Sequence, residues 1–167
     1  AGDRAFVTRR SGPPCPDLPG PALAELGATH LHIGELATLV EKPALIAQAR
    51  QAGMTISLDC GWDDGLTGQD VSPLLPQVDV FLPNAEEAVH LERIGVARNL
   101  APLTITKRGA LGSSAAPRSG QAVDAPTRPL KALDTTGAGD AFNAGFLTEW
   151  LQGTPLQRCL AAGNARG

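Results

Sequence analysis

The sequence predicts an α/β fold: a mostly parallel sheet with helices on both faces. Two observations carry that expectation. From residue 29 onward, short apolar and partly β-branched runs alternate with amphipathic stretches, the pattern of strands joined by covering helices. The polar residues Asp59, Asn84 and Lys107 fall at the carboxyl ends of successive expected strands, where an open α/β sheet keeps its ligand site.

In chain order, "RAFVT" (Arg4 to Thr8) reads as a short strand that runs into the Pro/Gly-rich connection "SGPPCPDLPGP". "THLHIG" is the next strand. "KPALIAQARQAG" is a helix with Pro43 in its first turn and Gly53 at its end. "MTISLD" is a strand closing on Asp59, and "VDVFLP" another closing on Pro83. "NAEEAVHLERIG" is a helix stopped by Gly95, and "PLTITK" is a strand after which Gly109 and Gly112 break the chain. From Ser113 to Leu133, with Pro117, Pro126 and Pro129, a local β-excursion is expected. The helix containing "AFNAGFLTEWLQG" follows, and a last helix begins near Pro155.

Composition narrows the function classes. The 167 residues are 43% hydrophobic and 19% charged with net charge −3, ordinary for a globular domain with a real core. No basic block or aromatic–basic interleaving marks a nucleic-acid surface, and no apolar run approaches a membrane span. Neither nucleic acid nor membrane is expected as a partner. The three cysteines, Cys15, Cys60 and Cys159, are far apart and read as reduced thiols, which makes a cytoplasmic location the expectation. His30 and His32 alternate on one strand face, but no third zinc ligand stands at a matching spacing. Trp62 after the "MTISLD" strand is open to two readings, a substrate contact or a rim aromatic.

The most informative stretch is "DTTGAGDAFNAGF", Asp134 to Phe146. A Gly-Ala-Gly turn lets the backbone approach a ligand, and the first amides of the helix behind it have no intrahelical acceptors. That geometry suits a phosphate, above all the charge spread over a phosphoryl group in transfer. Asp140 at its rim would repel such a ligand unless its carboxylate takes a proton from an attacking hydroxyl. The competing reading is that Asp140 merely complements the helix dipole.

The ungapped pattern Asp-Thr-x-Gly-Ala-Gly-Asp-x-Phe resembles the C-terminal signature of the ribokinase family, the PfkB carbohydrate kinases. By that resemblance Asp140 is the catalytic base for a sugar hydroxyl attacking the γ-phosphate of ATP, and Gly137, Ala138 and Gly139 form the anion hole. Asp134 and Thr136 correspond to the loop that in many members holds a monovalent cation, K⁺, beside that hole. "PNAEEA" is similar to the family's Asn-x-x-Glu motif, which gives Asn84 and Glu87 an indirect part in ordering Mg²⁺. The same two residues match a capping box, and on the residues alone the cap is the more common explanation; the order of motifs favours the family role. "TKRGALGS" resembles the turn that packs against the nucleotide, with Gly109, Gly112 and Lys107 near it, and Asn164 in "LAAGNARG" stands where the family borders the adenine.

The resemblance implies a ribokinase-like fold incomplete at both ends. Residues 1–167 would be the C-terminal part of a kinase domain, without the N-terminal substrate and lid portion or the extreme C-terminus. The implied activity is ATP-dependent phosphorylation of a sugar, with Mg²⁺ as cofactor and a homodimer as an expectation for the complete protein. A vitamin kinase of the wider superfamily, acting on a pyridoxal or hydroxymethylpyrimidine substrate, and a non-catalytic nucleotide-binding remnant are the alternatives. No Gly-x-x-x-x-Gly-Lys-Ser/Thr segment is present, so the ATP site is not of the P-loop class.

Overall fold

The computed structural model describes residues 25, 27–61, 63–128 and 135–167. The expected strand at Arg4 to Thr8, Cys15, Trp62, Pro129 and Asp134 lie outside them. Among the described residues, six strands form one sheet in the order β1 to β6: β1 His30–Ile33, β2 Thr55–Asp59, β3 Val80–Leu82, β4 Leu103–Lys107, β5 Ser113–Pro117 and β6 Val123–Ala125. The first four are parallel, and β5 and β6 are antiparallel to their neighbours. The β-excursion expected after Gly112 is this hairpin.

Parallel neighbours joined by right-handed crossovers that step in one direction keep their connecting helices on one face. Here those helices are α1 (Leu36–Glu41), α2 (Ala44–Gln51), α3 (Gly68–Val71) and α4 (Ala85–Arg93). They bury Leu36, Leu39, Ile46, Val71 and Leu91 against Ile33, Ile56, Leu58 and Phe81 of the sheet. The reversal at β5 and β6 frees the chain from that rule. The next helices, α5 (Ala138–Trp150) and α6 (Leu156–Asn164), cover the opposite face. There Phe142, Phe146, Leu147 and Leu160 pack on Val80, Leu82, Leu103, Ile105 and Ala115. Strand β3 is therefore apolar without alternation because both of its faces are buried. Cys60 and Cys159 are buried free thiols.

Helix α2 ends as expected, with Gly53 at φ +74° carrying the chain away from the helix axis. Two helices are absent from the sequence-based reading. Helix α1 has six residues and no side-chain cap. Helix α3 has four, held by a Thr67–Asp70 capping box, and a three-residue 3₁₀ turn, Leu75–Gln77, follows it. None is long enough for a helical period to register.

Gly112 fixes how the hairpin folds back. Its backbone is at φ +82°, ψ −137°, a region essentially reserved for glycine. A Cβ there would stand 2.8 Å from the amide nitrogen of Thr127 and 2.9 Å from the carbonyl carbon of Pro126, and closer still to the carbonyl oxygen of Ala125. Gly112→Ala is expected to destabilise the protein by about 3 kcal/mol in urea unfolding, from strained backbone and overpacking together. Gly53→Ala, whose Cβ would meet nothing within 4 Å, should cost only about 1 kcal/mol. Equal losses would mean that residues 125–127 yield to the new methyl group.

Candidate functional site

The carboxyl ends of β2 and β4 are joined by a buried ion pair. Lys107 Nζ donates to both carboxylate oxygens of Asp59, at 2.8 and 2.9 Å, and lies 3.3 Å from Asn143 Oδ1 of α5. The Asn143 amide nitrogen donates back to Asp59 Oδ2, and the Cys60 amide donates to Asp59 Oδ1 at 2.7 Å. Asp59 and Asn143 are buried, and the Lys107 side chain is only 12% exposed. The ammonium thus spends its protons inside the fold. Sequence reasoning placed Lys107 near a phosphate and Asp59 at the strand ends without pairing them, and it missed Asn143. The signal for Asn143 was available: a lone amide in the otherwise apolar "AFNAGF" run needs a partner once the helix face is buried.

Above this pair stands the start of α5. Gly137 is its N-cap in the left-handed conformation, φ +76°, ψ 0°, where a side chain is disfavoured. The Ala138 amide donates to the Thr135 carbonyl at 3.2 Å, and the Ala141 amide to that of Gly137 at 2.9 Å. The amides of Gly139 and Asp140 between them have no acceptor among the described residues. Among the described residues the space over the turn is open. A Cβ on Gly137 would meet nothing within 4 Å, and one on Gly139 only Lys107 Nζ at 3.7 Å. Of the three residues expected to form the anion hole, Ala138 has its amide taken by the Thr135 carbonyl. Asp140 is exposed at the rim.

Asn84 and Glu87 form a complete capping box at the start of α4. The Asn84 amide donates to Glu87 Oε2 at 2.7 Å, and the Glu87 amide to Asn84 Oδ1 at 2.9 Å. The cap does not use up the carboxylate, because Oε1 has no hydrogen bond among the described residues. Burial pushes the Glu87 carboxyl above its ordinary range; the cap bond from Asn84 opposes that, Asp59 adds to it, and Lys107 offsets it. A short parallel bridge between Asn84 and Lys107 fixes this helix start beside the ion pair. A hard oxygen in an acidic setting suits Mg²⁺. With one open carboxylate oxygen, and no group of three or more His, Cys, Asp or Glu able to hold a metal among the described residues, the fit is to an ion reached through water.

The expected nucleotide residues lie around the hairpin. Gly109, at φ +55°, has open space where a Cβ would be, whereas the corresponding space at Gly112 is filled by the chain itself. Close backbone approach at Gly112 thus serves the fold, and only Gly109 is free to receive a ligand. Asn164 donates its amide to the Ala125 carbonyl at 2.9 Å, tying α6 to β6. Thr136 is exposed in the turn before α5.

Comparison with known proteins bears on this arrangement directly. The profile described as pfkB family carbohydrate kinase matches residues 31–167. An ATP-dependent ribose-1-phosphate kinase of Halopiger xanaduensis is 33% identical over 146 residues, 84% of this chain and 47% of that protein. A fructoselysine 6-kinase of Shigella flexneri is 33% identical over 120 residues, 71% of this chain and 45% of that one. The chain thus spans about half the length of the curated relatives it matches. Among solved structures, a nucleoside kinase of Methanocaldococcus jannaschii, an archaeal member of the ribokinase family, superimposes with TM-score 0.72 at 20% identity over 87% of this chain and 52% of that one. A Vibrio cholerae fructokinase with fructose, ADP and calcium ion bound gives TM-score 0.66 at 22% identity over 81% and 52%. With the family profile covering most of its length and the ribokinase-like sheet under its glycine turn, the chain belongs to the pfkB family of carbohydrate kinases.

Proposed function

We propose that the chain carries the phosphoryl-transfer part of an ATP-dependent kinase whose acceptor is a sugar hydroxyl. The observation that supports this best is the start of α5: amides at Gly139 and Asp140 with no acceptor among the described residues, beside an exposed carboxylate. Amides fixed in a turn can hold the charge that grows on the transferred group without reorganising. Asp140 would accept the proton of the attacking hydroxyl. Gly109 would lie against the nucleotide, with Lys107, Gly112 and Asn164 holding the surrounding backbone. In this reading Lys107 is a positioning residue, since its protons are taken by Asp59 and Asn143. Residues 1–167 would form the C-terminal part of a longer kinase domain.

Glu87 and Asn84 would order Mg²⁺ through water, and the ion's contribution is to neutralise the β- and γ-phosphates of ATP. The proposed K⁺ site at Asp134 and Thr136 rests on the family motif alone, as Asp134 lies outside the described residues. A sugar acceptor is favoured over a vitamin by the relatives named above, which are kinases of a phosphosugar and a sugar–amino acid adduct.

The test is ADP release by the purified protein with ATP, Mg²⁺ and a panel of sugars, with pyridoxal as the vitamin control. Asp140→Asn is expected to lower kcat by about 10²–10⁴-fold while ATP affinity stays within roughly twofold. Turnover at the wild-type rate in that variant would remove Asp140 from the mechanism, and ATP binding without turnover on any acceptor would favour a non-catalytic module.

A second expectation concerns the ion pair. Lys107→Met leaves a buried carboxylate uncompensated and should cost about 3–5 kcal/mol in urea unfolding. Adding Asp59→Asn should recover most of that loss, because the unpaired charge is gone. A double variant as unstable as the single one would mean that Lys107 acts through something other than Asp59.

A further inference from the structure

Both faces of a parallel sheet are ordinarily apolar, yet one face of β1 and β2 is not. His30 and His32 on β1 stand opposite Thr55 and Ser57 on β2, and the same face continues to Asp59. Leu31, Ile33, Ile56 and Leu58 point the other way into the first core. Helix α5 borders this polar strip without covering it. Asn143 touches Asp59 at one end, and the Trp150 ring meets the His30 ring edge-on, centroids 6.0 Å apart, at the other.

The side chains are wired in series. Thr55 Oγ1 donates to the Thr29 carbonyl at 3.4 Å and lies 2.7 Å from His30 Nδ1. The hydroxyl of Ser57, fully buried, lies 2.8 Å from His30 Nε2 and 2.8 Å from His32 Nδ1. Each hydroxyl has one proton, so the series has a direction. Two acceptors compete for the Thr55 proton, the Thr29 carbonyl and His30 Nδ1; we assign it to Thr29, so that His30 Nδ1 donates to Thr55 and a neutral His30 accepts at Nε2 from Ser57. Ser57 can only accept from His32 Nδ1–H. The chain ends at His32 Nε2, a bare lone pair on an exposed residue with no hydrogen bond among the described residues.

Neutrality of both rings is consistent with their surroundings. Burial holds His30 below the ordinary imidazole range, helped by His32 and opposed by Asp79. Burial also lowers His32; Asp59 and Asp140 pull the other way, and Lys107 adds to the lowering. Geometry leads from the open nitrogen towards the proposed base: His32 bonds Ser57, two residues before Asp59 on the same strand face, and Lys107, the partner of Asp59, would lie 3.7 Å from a Cβ on Gly139, the residue before Asp140.

We infer that His32 Nε2 is a specificity-determining contact that accepts a hydrogen bond from a second hydroxyl of the acceptor whose first hydroxyl Asp140 deprotonates. The contact favours a neutral polyol. A carboxylate or phosphate at that point would face the nitrogen lone pair and find no proton. This rests on the kinase reading above, and His30, Ser57 and His32 all lie outside the Asp134–Phe146 stretch on which that reading is built.

Two measurements decide it. Long-range ¹H–¹⁵N spectra of the imidazoles at about pH 7.5, where neutral rings dominate, should show His32 protonated at Nδ1 and bare at Nε2. The opposite tautomer would reverse the series and overturn the inference. In ADP-release kinetics with the best of D-ribose, D-fructose and D-glucose, His32→Leu should raise the sugar KM at least about tenfold, with kcat within about threefold and the KM for ATP unchanged. His32→Gln, which restores an acceptor oxygen, should recover most of the sugar KM. A sugar KM unmoved by His32→Leu in an active enzyme sinks the role of His32 alone. A wild-type protein inert on all three sugars counts against the kinase reading and takes this inference with it.

Discussion

Lys107 reaches across the carboxyl edge of the sheet from β4 to the carboxylate of Asp59 on β2, and Asn143 of α5 closes the triangle. Much of the site's geometry depends on this contact. It bridges over β3, so the start of α4 after that strand is held between its two anchors. It also holds α5 in the rotational setting in which buried Asn143 bonds both Asp59 and Lys107. That setting places the Gly137 turn over Lys107 and turns Asp140 outward. A pair this buried contributes little net stability compared with apolar packing of the same volume. Its value is in alignment: two strands and a helix are brought to one register at the point where chemistry is expected.

The topology supplies the rest of that convergence. Four parallel strands send their crossover helices to one face, which leaves the other face bare. The antiparallel hairpin β5–β6 turns the chain around, and α5 then runs along the bare face with its N-terminus at the carboxyl ends of the strands. Carboxylate, amide and ammonium groups from the ends of β2, β3 and β4 meet the first amides of a helix that follows two strands later in the chain. Neither half of the sheet alone would assemble that set.

How far the sequence disclosed this depended on how local each feature is. Strands β1 to β4 and the helices α2, α4 and α5 were legible because each carries its own period, stop residue or apolar run. The Gly137–Asp140 segment was legible because its residues are contiguous. Helices α1 and α3 were not, being six and four residues long. The partnership of Lys107 with Asp59 spans 48 residues, and that of Ser57 with His32 spans 25. Both depend on strand register, which no single segment encodes. The Asn84–Glu87 pair was ambiguous for a different reason. One carboxylate oxygen closes a helix cap and the other stays open, so the two readings describe different atoms of the same side chain.

The neutralised Lys107 also governs how the site would meet a polyphosphate. Its charge is cancelled within the fold, so in the proposed reading the Gly137 turn would attract anions through amide dipoles, whose reach fades within about one helical turn. A pocket of that kind exerts no long-range pull and gains little from low ionic strength. Such a pocket would recognise a phosphoryl group by contact, after arrival, and so would discriminate by shape and by the charge distribution of the transferring group rather than by total charge.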